Sequence, residues 1–284
     1  MIPAPFDYIA PQTVEEALAA LAEAGDEGKV LAGGQSLLPI LRLRMNTPEK
    51  LIDLGRIADL REVTDDGDAI AIGSMATHDA VRRHPLVTEH AQLLSATLAE
   101  VADPQVRHRG TVGGALVHAD PAGDIGAAAL ALDAEMVIAG PRGTRTVAAG
   151  DFFLGLFESA VGEDELLVRI RIPKHTGWGG HYEKFVRTAQ QWSIVGVAAT
   201  LRVDGGSIAE ARVALTNMGA TPLRARSVEE ALVGQAPSAD AVRRAAATAA
   251  EGTDPPSDLN GAADYRQHLA GVLTRRAVLA AAGV

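Results

Sequence analysis

The chain contains no cysteine, which excludes disulfides, thiolate metal sites and iron–sulfur clusters within this polypeptide. Any redox centre it uses must therefore come from outside the chain. Positive charge is also scarce: 26 Lys and Arg against 36 Asp and Glu leave a formal net charge of −10. Such a surface does not attract nucleic acid or an anionic membrane at long range, so a bound phosphate would have to be held by local donors. No run of about 18 apolar residues occurs, and the N-terminal Met1-Ile-Pro-Ala-Pro-Phe-Asp7 lacks a basic segment followed by an apolar one. We therefore read the protein as soluble and cytoplasmic. Neither Gly-x-Gly-x-x-Gly nor a lysine-containing P-loop is present, which disfavours a nicotinamide Rossmann site and a Walker nucleotide site.

What is present is ample apolar material, 47% of 284 residues, enough for two domains or one large one. Thr13 and Glu16 have capping-box spacing before a helix that Gly25 ends. Lys29–Ala32 and Leu51–Leu54 read as strands and Leu37–Leu43 as a helix, so the first sixty residues form an α/β unit. Ala69–Ile72 is a strand, Thr77 caps a short helix ending near His84 before Pro85, and Thr88–Val101 reads as one further helix. Ile125–Leu132 is a small-residue helix, Glu135–Ala139 and Thr144–Val147 a hairpin, and Leu166–Ile172 a half-buried strand.

The glycine-rich Lys174–Gly180 is the candidate domain boundary. After it, Tyr182–Val186, Ile194–Val203 and Ile208–Thr216 suggest an antiparallel meander turning at Asp204-Gly-Gly206. Helical segments follow at Ser227–Gly234, with a capping box of Ser227 and Glu230, at Ser238–Glu251, and from Ala263 onward.

Two glycine pairs stand out: Gly33-Gly34, followed by Gln35 and Ser36, and Gly113-Gly114, preceded by Thr111. Lacking Cβ atoms, such turns can adopt positive φ and bring successive N–H groups to an oxyanion. A single pair more often marks a hairpin or a cap, but helix-forming sequence follows each of these. Together they can grip one diphosphate from two sides. His78, His108 and His118 lack metal-ligand spacing and read as solvated or hydrogen-bonded histidines. Arg107 and Arg109 flank the second turn, as phosphate partners or as surface residues.

Ala32-Gly-Gly-Gln-Ser36, Gln105-Val-Arg-His-Arg-Gly-Thr-Val-Gly-Gly114, Ala119-Asp-Pro121 and Tyr182-Glu-Lys-Phe185 together resemble the FAD-binding medium subunit of molybdenum hydroxylases, particularly the carbon monoxide dehydrogenase type. The order and spacing match along essentially the whole chain. The resemblance implies an α+β protein: a PCMH-type FAD-binding fold over residues 1–175, with subdomains of about 1–60 and 61–175, then a C-terminal domain over 176–284 with an antiparallel sheet and a helical cluster. It implies FAD contacts from Ala32, Gly33, Gly34, Gln35, Ser36 and Leu37 and from Thr111, Gly113, Gly114 and Ala115. Asp124 and Lys184 would lie near the flavin and its ribityl chain, the Leu167 backbone at the ring end, and Trp192 over one ring face.

For Asp124 the bland alternative is a helix N-cap, for Lys184 a solvated strand lysine, and for Trp192 a core residue at a strand entrance. The implied activity is electron transfer from [2Fe–2S] clusters of a small partner through FAD to an external acceptor, while a large molybdenum–pterin partner oxidises the substrate. The assembly would be a dimer of heterotrimers. The absence of cysteine fits that division of labour. Two departures are present: Ala115 stands where many relatives have Asn, and Gln35-Ser36 replaces the Thr-Asp of xanthine dehydrogenases. Two other classes use the same features, a nucleotide-binding regulatory or assembly protein and a stand-alone flavin oxidase.

Overall fold

The computed structural model describes residues 1–284 as three main sheets with helices packed between and around them. The first is a parallel sheet in which Lys50–Asp53 lies between Asp7–Ile9 and Gly28–Leu31. Helix Val14–Ala24 packs on it through Ala17 and Leu21, against Ile52 and Leu54. Thr13 accepts the Glu16 N–H, while the Glu16 carboxylate accepts the Gln12 N–H one residue before the expected partner. Strand Gly28–Leu31 runs directly into the first glycine turn.

The second sheet is antiparallel, ordered Val63–Asp66, Ala69–Gly73, Leu166–Pro173, Glu135–Gly140 and Gly143–Ala148. Its centre is the late strand Leu166–Pro173, inserted between elements far earlier in the chain. Helices His78–Arg83, Pro85–His90, Gln92–Glu100, Val112–His118 and Asp124–Ala131 supply much of the main core with it. The single helix expected over Thr88–Val101 is two helices separated by Ala91, whose φ and ψ of −144° and 54° leave the helical range. Pro85 does more than end the preceding helix. As a first-turn residue with no N–H to satisfy, it begins the next one.

In the third sheet Gly179–Phe185, Val195–Asp204, Ser207–Thr216 and Leu223–Arg224 form an antiparallel meander. Gly205 and Gly206, with φ of 55° and 82°, make its two-residue turn. Helices Arg226–Leu232, Ala239–Ala246 and Ala263–Ala282 contribute to its core on one side, and Gln92–Glu100 and Asp124–Ala131 contact the sheet from the main core. The capping box expected at Ser227 and Glu230 does not form: the cap position is Ala225, two residues earlier, and it makes no side-chain capping bond. The organising carboxylate is instead the buried Glu229, which accepts the Val213 N–H (2.8 Å) and pairs with Arg224. The helix expected to reach Glu251 stops at Ala246. No helix is long and apolar enough to cross a membrane.

Candidate functional site at the two glycine turns

Strand Gly28–Leu31 releases the chain into Ala32–Ser36 before helix Leu37–Arg42 begins. Gly34 adopts φ 75°, a conformation that costs a non-glycine residue strain. The N–H groups of five consecutive residues, Gly33, Gly34, Gln35, Ser36 and Leu37, donate to no other group of the chain. Ser36 makes no capping bond, and the Gln35 amide folds back onto the Gly33 carbonyl (3.1 Å). A run of unpaired amides on a turn is a ready set of donors for an oxyanion.

The second turn is built differently. Gly113 and Gly114 lie in the first turn of helix Val112–His118 and neither has positive φ, contrary to expectation. Their amides are already bonded within the chain. Val112 N–H donates to Ala76 O (3.0 Å), Gly113 to Ser74 O (2.9 Å), Gly114 to Thr111 Oγ1 (3.1 Å) and Ala115 to Thr111 O (3.1 Å). Glycine is required there by close approach: a Cβ on Gly113 would lie 2.5 Å from Ser74 Cβ and 2.6 Å from Ser74 O.

The two turns touch. A Cβ on Gly33 would overlap Arg109 O and lie 2.7 Å from Gly110 Cα, and one on Gly114 would lie 3.2 Å from Ala32 Cβ. Segments far apart in sequence thus form one cradle, with the unpaired amides on the first turn and a rigid, internally bonded wall on the second. Arg107 takes no part in it, because its Nη1 is held by Val101 O (2.7 Å). Arg109 is exposed and bonds to no other side chain.

Asp124 and Lys184 meet in a buried pair. Asp124 opens helix Asp124–Ala131, but the cap position is Gly123, so the N-cap alternative does not hold. Its Oδ2 accepts from Lys184 Nζ (2.8 Å), and the two side chains are only 7% and 6% exposed. The solvated-lysine alternative fails for the same reason. Oδ1 accepts from Tyr182 Oη (2.8 Å) and Ser193 Oγ (2.7 Å), and Lys184 also donates to Glu100 O (3.0 Å). Neither Tyr182, although it opens one of the motifs that carry the resemblance, nor Ser193 was given a role at the site from the sequence. A role for Tyr182 could have been read, since residues two apart on a strand share a face and Lys184 lies two positions on.

Trp192, immediately before Ser193, is 63% exposed and so is not a core tryptophan. Leu167 is buried in the main core beside a register shift in its strand, and the neighbouring Val168 O accepts the Ser74 N–H (3.1 Å).

His78, expected to be solvated or hydrogen-bonded, is buried against the second turn with no partner for Nδ1. Its Nε2 would lie 2.9 Å from a Cβ on Gly110, and burial, with the Arg107 charge, depresses its pKa to about 4. The folded protein keeps this ring neutral, whereas in the unfolded chain it takes up a proton near the ordinary value of 6.5. The unfolded state thus binds more protons between those values, and stability falls as pH drops through that window, by on the order of 3 kcal/mol at about pH 4. His78→Leu should flatten this limb in urea unfolding measured from pH 7 to 4. An unchanged slope would assign the acid loss to other groups.

Residues 4–175 match the family model described as the FAD binding domain in molybdopterin dehydrogenase, and residues 180–281 match the CO dehydrogenase flavoprotein C-terminal domain. The chain belongs to the FAD-binding medium subunits of the molybdenum hydroxylases. It is 41% identical over 284 residues to the carbon monoxide dehydrogenase medium chain of Hydrogenophaga pseudoflava, covering 99% of this chain and 98% of that one. It is 33% identical over 278 residues to the 6-hydroxypseudooxynicotine dehydrogenase complex subunit alpha of Paenarthrobacter nicotinovorans, covering 97% and 94%. Among solved structures, carbon monoxide dehydrogenase from Hydrogenophaga pseudoflava superposes with a TM-score of 0.96 at 43% identity, covering 100% of this chain and 99% of that one. The medium-subunit flavoprotein is one component of a multi-subunit oxidoreductase.

Proposed function

We propose that the cradle binds the FAD diphosphate, and that this subunit is the electron outlet of a molybdenum hydroxylase. Electrons would arrive from [2Fe–2S] clusters of a small partner and leave to an external acceptor, while a large molybdenum–pterin partner oxidises the substrate. The observation that carries the reading is the run of five unpaired amides, Gly33 to Leu37, on a turn that touches the second one. In a chain of net charge −10, a diphosphate needs donors that bring no repulsion with them, and backbone N–H groups meet that need.

Bound FAD would supply reversible acceptance of two electrons, which no side chain here offers. The chain's own residues bind and orient it. Ala32–Leu37 would donate to phosphate oxygens, while Thr111, Gly113, Gly114 and Ala115 would shape the opposing wall. The Lys184 ammonium, paired with Asp124, would be the cation at the flavin and ribityl end, and the Leu167 backbone would lie at the ring. Residues 1–175 would form the FAD-binding domain and 176–284 the C-terminal domain. The assembly would be a dimer of heterotrimers in the cytoplasm. The relatives are named for carbon monoxide and for 6-hydroxypseudooxynicotine, two dissimilar reductants, which fits a substrate choice made in the large partner.

The test is the visible spectrum of the purified chain. Flavin absorbance at one equivalent that bleaches on reduction supports the reading. A colourless protein that takes up no added FAD defeats it.

Trp192 is placed over one face of the ring in this reading. Because its side chain is largely in water, Trp192→Ala should change stability by no more than about 0.5 kcal/mol while speeding reoxidation by oxygen several-fold in stopped flow. Wild-type reoxidation would remove the shield from the account.

A further inference from the structure

The buried Asp124–Lys184 pair raises a question of cost. An ion pair taken out of water repays its desolvation only if the remaining lone pairs of the carboxylate are satisfied. Here they are, by two hydroxyls from different segments. Tyr182 comes from strand Gly179–Phe185, and Ser193 lies just before strand Val195–Asp204; both donate to the same oxygen, Oδ1, leaving Oδ2 to Lys184.

The tyrosine is held for this task. Its Oη also lies 3.3 Å from Thr216 Oγ1, and a Cβ at Gly196 would overlap it, so the neighbouring strand is cleared to admit the hydroxyl. Complete burial, reinforced by the Asp124 charge, drives its pKa well above 10, and it remains a protonated donor at any working pH. Lys184 is thereby fixed with two of its three N–H groups engaged, on Asp124 and on Glu100 O. The third has no acceptor in the chain.

We propose that Tyr182, assisted by Ser193, is a positioning residue that sets the reduction potential of the bound flavin by acting through Asp124 on the Lys184 charge. This rests on the reading that FAD lies beside Lys184. The Tyr182 and Ser193 O–H dipoles offset part of the carboxylate's negative charge. Removing one leaves the carboxylate's charge less offset and draws Lys184 more tightly to Asp124, so the potential at a neighbouring group becomes more negative and electron gain there less favourable.

The test uses the full chain with FAD bound and reads the flavin midpoint potential by reductive titration against a dye. Tyr182→Phe keeps the ring in the core and removes only the hydroxyl. We expect it to retain one FAD and to lower the two-electron reduction equilibrium about tenfold, equivalent to about 30 mV. Ser193→Ala should shift the potential in the same direction, and it serves as the decisive variant should Tyr182→Phe fail to fold. In an Asp124→Asn background, Tyr182→Phe should have little further effect, because its route is through the carboxylate.

A folded, flavin-loaded Tyr182→Phe or Ser193→Ala at the wild-type potential overturns the proposal. So does a Tyr182 effect undiminished in Asp124→Asn. Wild-type chain that binds no FAD overturns instead the functional reading on which it rests, so the two failures are distinguishable.

Discussion

Gly33→Ala is expected to weaken FAD binding by about 10- to 100-fold while leaving a folded chain. The added methyl would overlap Arg109 O and lie 2.7 Å from Gly110 Cα. Both are backbone atoms, which cannot rotate aside as a flexible side chain can. Relief requires the two turns to separate, and forcing an extra methyl(ene) into a packed contact typically costs about 1–3 kcal/mol. If separation of the turns opens the cradle, that energy is drawn from binding at about 1.4 kcal/mol per tenfold in affinity.

The control is Gly67→Ala, where φ is 73° but a Cβ would meet nothing within 4 Å. It strains a surface turn without touching the cradle and should bind FAD normally. Titration of apo-protein by quenching of flavin fluorescence separates the two. Wild-type affinity in Gly33→Ala would mean that contact between the turns does not shape the site. Gly114→Val should go further and abolish binding, though not through φ as the sequence suggests. Its side chain would press on Thr111 Oγ1 at 2.7 Å and Ala32 Cβ at 3.2 Å, disturbing the cap and the wall together.

Asp124→Ala should destabilise the apo chain by about 3–5 kcal/mol, the usual cost of leaving one member of a buried pair uncompensated. Lys184, its side chain 6% exposed, would keep only Glu100 O. The Tyr182 and Ser193 hydroxyls would lose their charged acceptor. Lys184→Met in the same background should recover part of the loss, since removing both charges eliminates the unpaired cation. Contacting residues are expected to be non-additive in this way. Urea midpoints for the two single variants and the double give the coupling directly. A loss below about 1 kcal/mol for Asp124→Ala would show that the pair behaves as a solvated surface bridge.

The elements with strong local signals were legible in the sequence. The capped helix at Val14–Ala24, the Gly205-Gly206 hairpin and the alternating strand at Leu166–Pro173 all follow from spacing, turn chemistry and periodicity. The errors fell where a longer-range partner outweighed a local preference. Ser227 and Glu230 have capping spacing, but Arg224 and the Val213 N–H claim Glu229 and set the start of that helix differently. Thr88–Val101 is periodic enough for one helix, yet Ala91 breaks it between two core-facing segments. His78 looked like any histidine, because burial is not a property of a residue's neighbours in sequence.

The primary sequence determined that this chain has no thiol chemistry, that a bound phosphate would need local donors, and that two bare-backbone turns are its distinctive equipment. Those follow from composition and from the absence of Cβ atoms, which are local facts. Tertiary structure decided which turn keeps its amides free, and that the other is a wall already bonded to Ser74 and Ala76. It also decided that Asp124, Lys184, Tyr182 and Ser193 share one buried cluster. Hydrogen-bond satisfaction and burial depend on which distant segments pack together, and neither can be counted until they have.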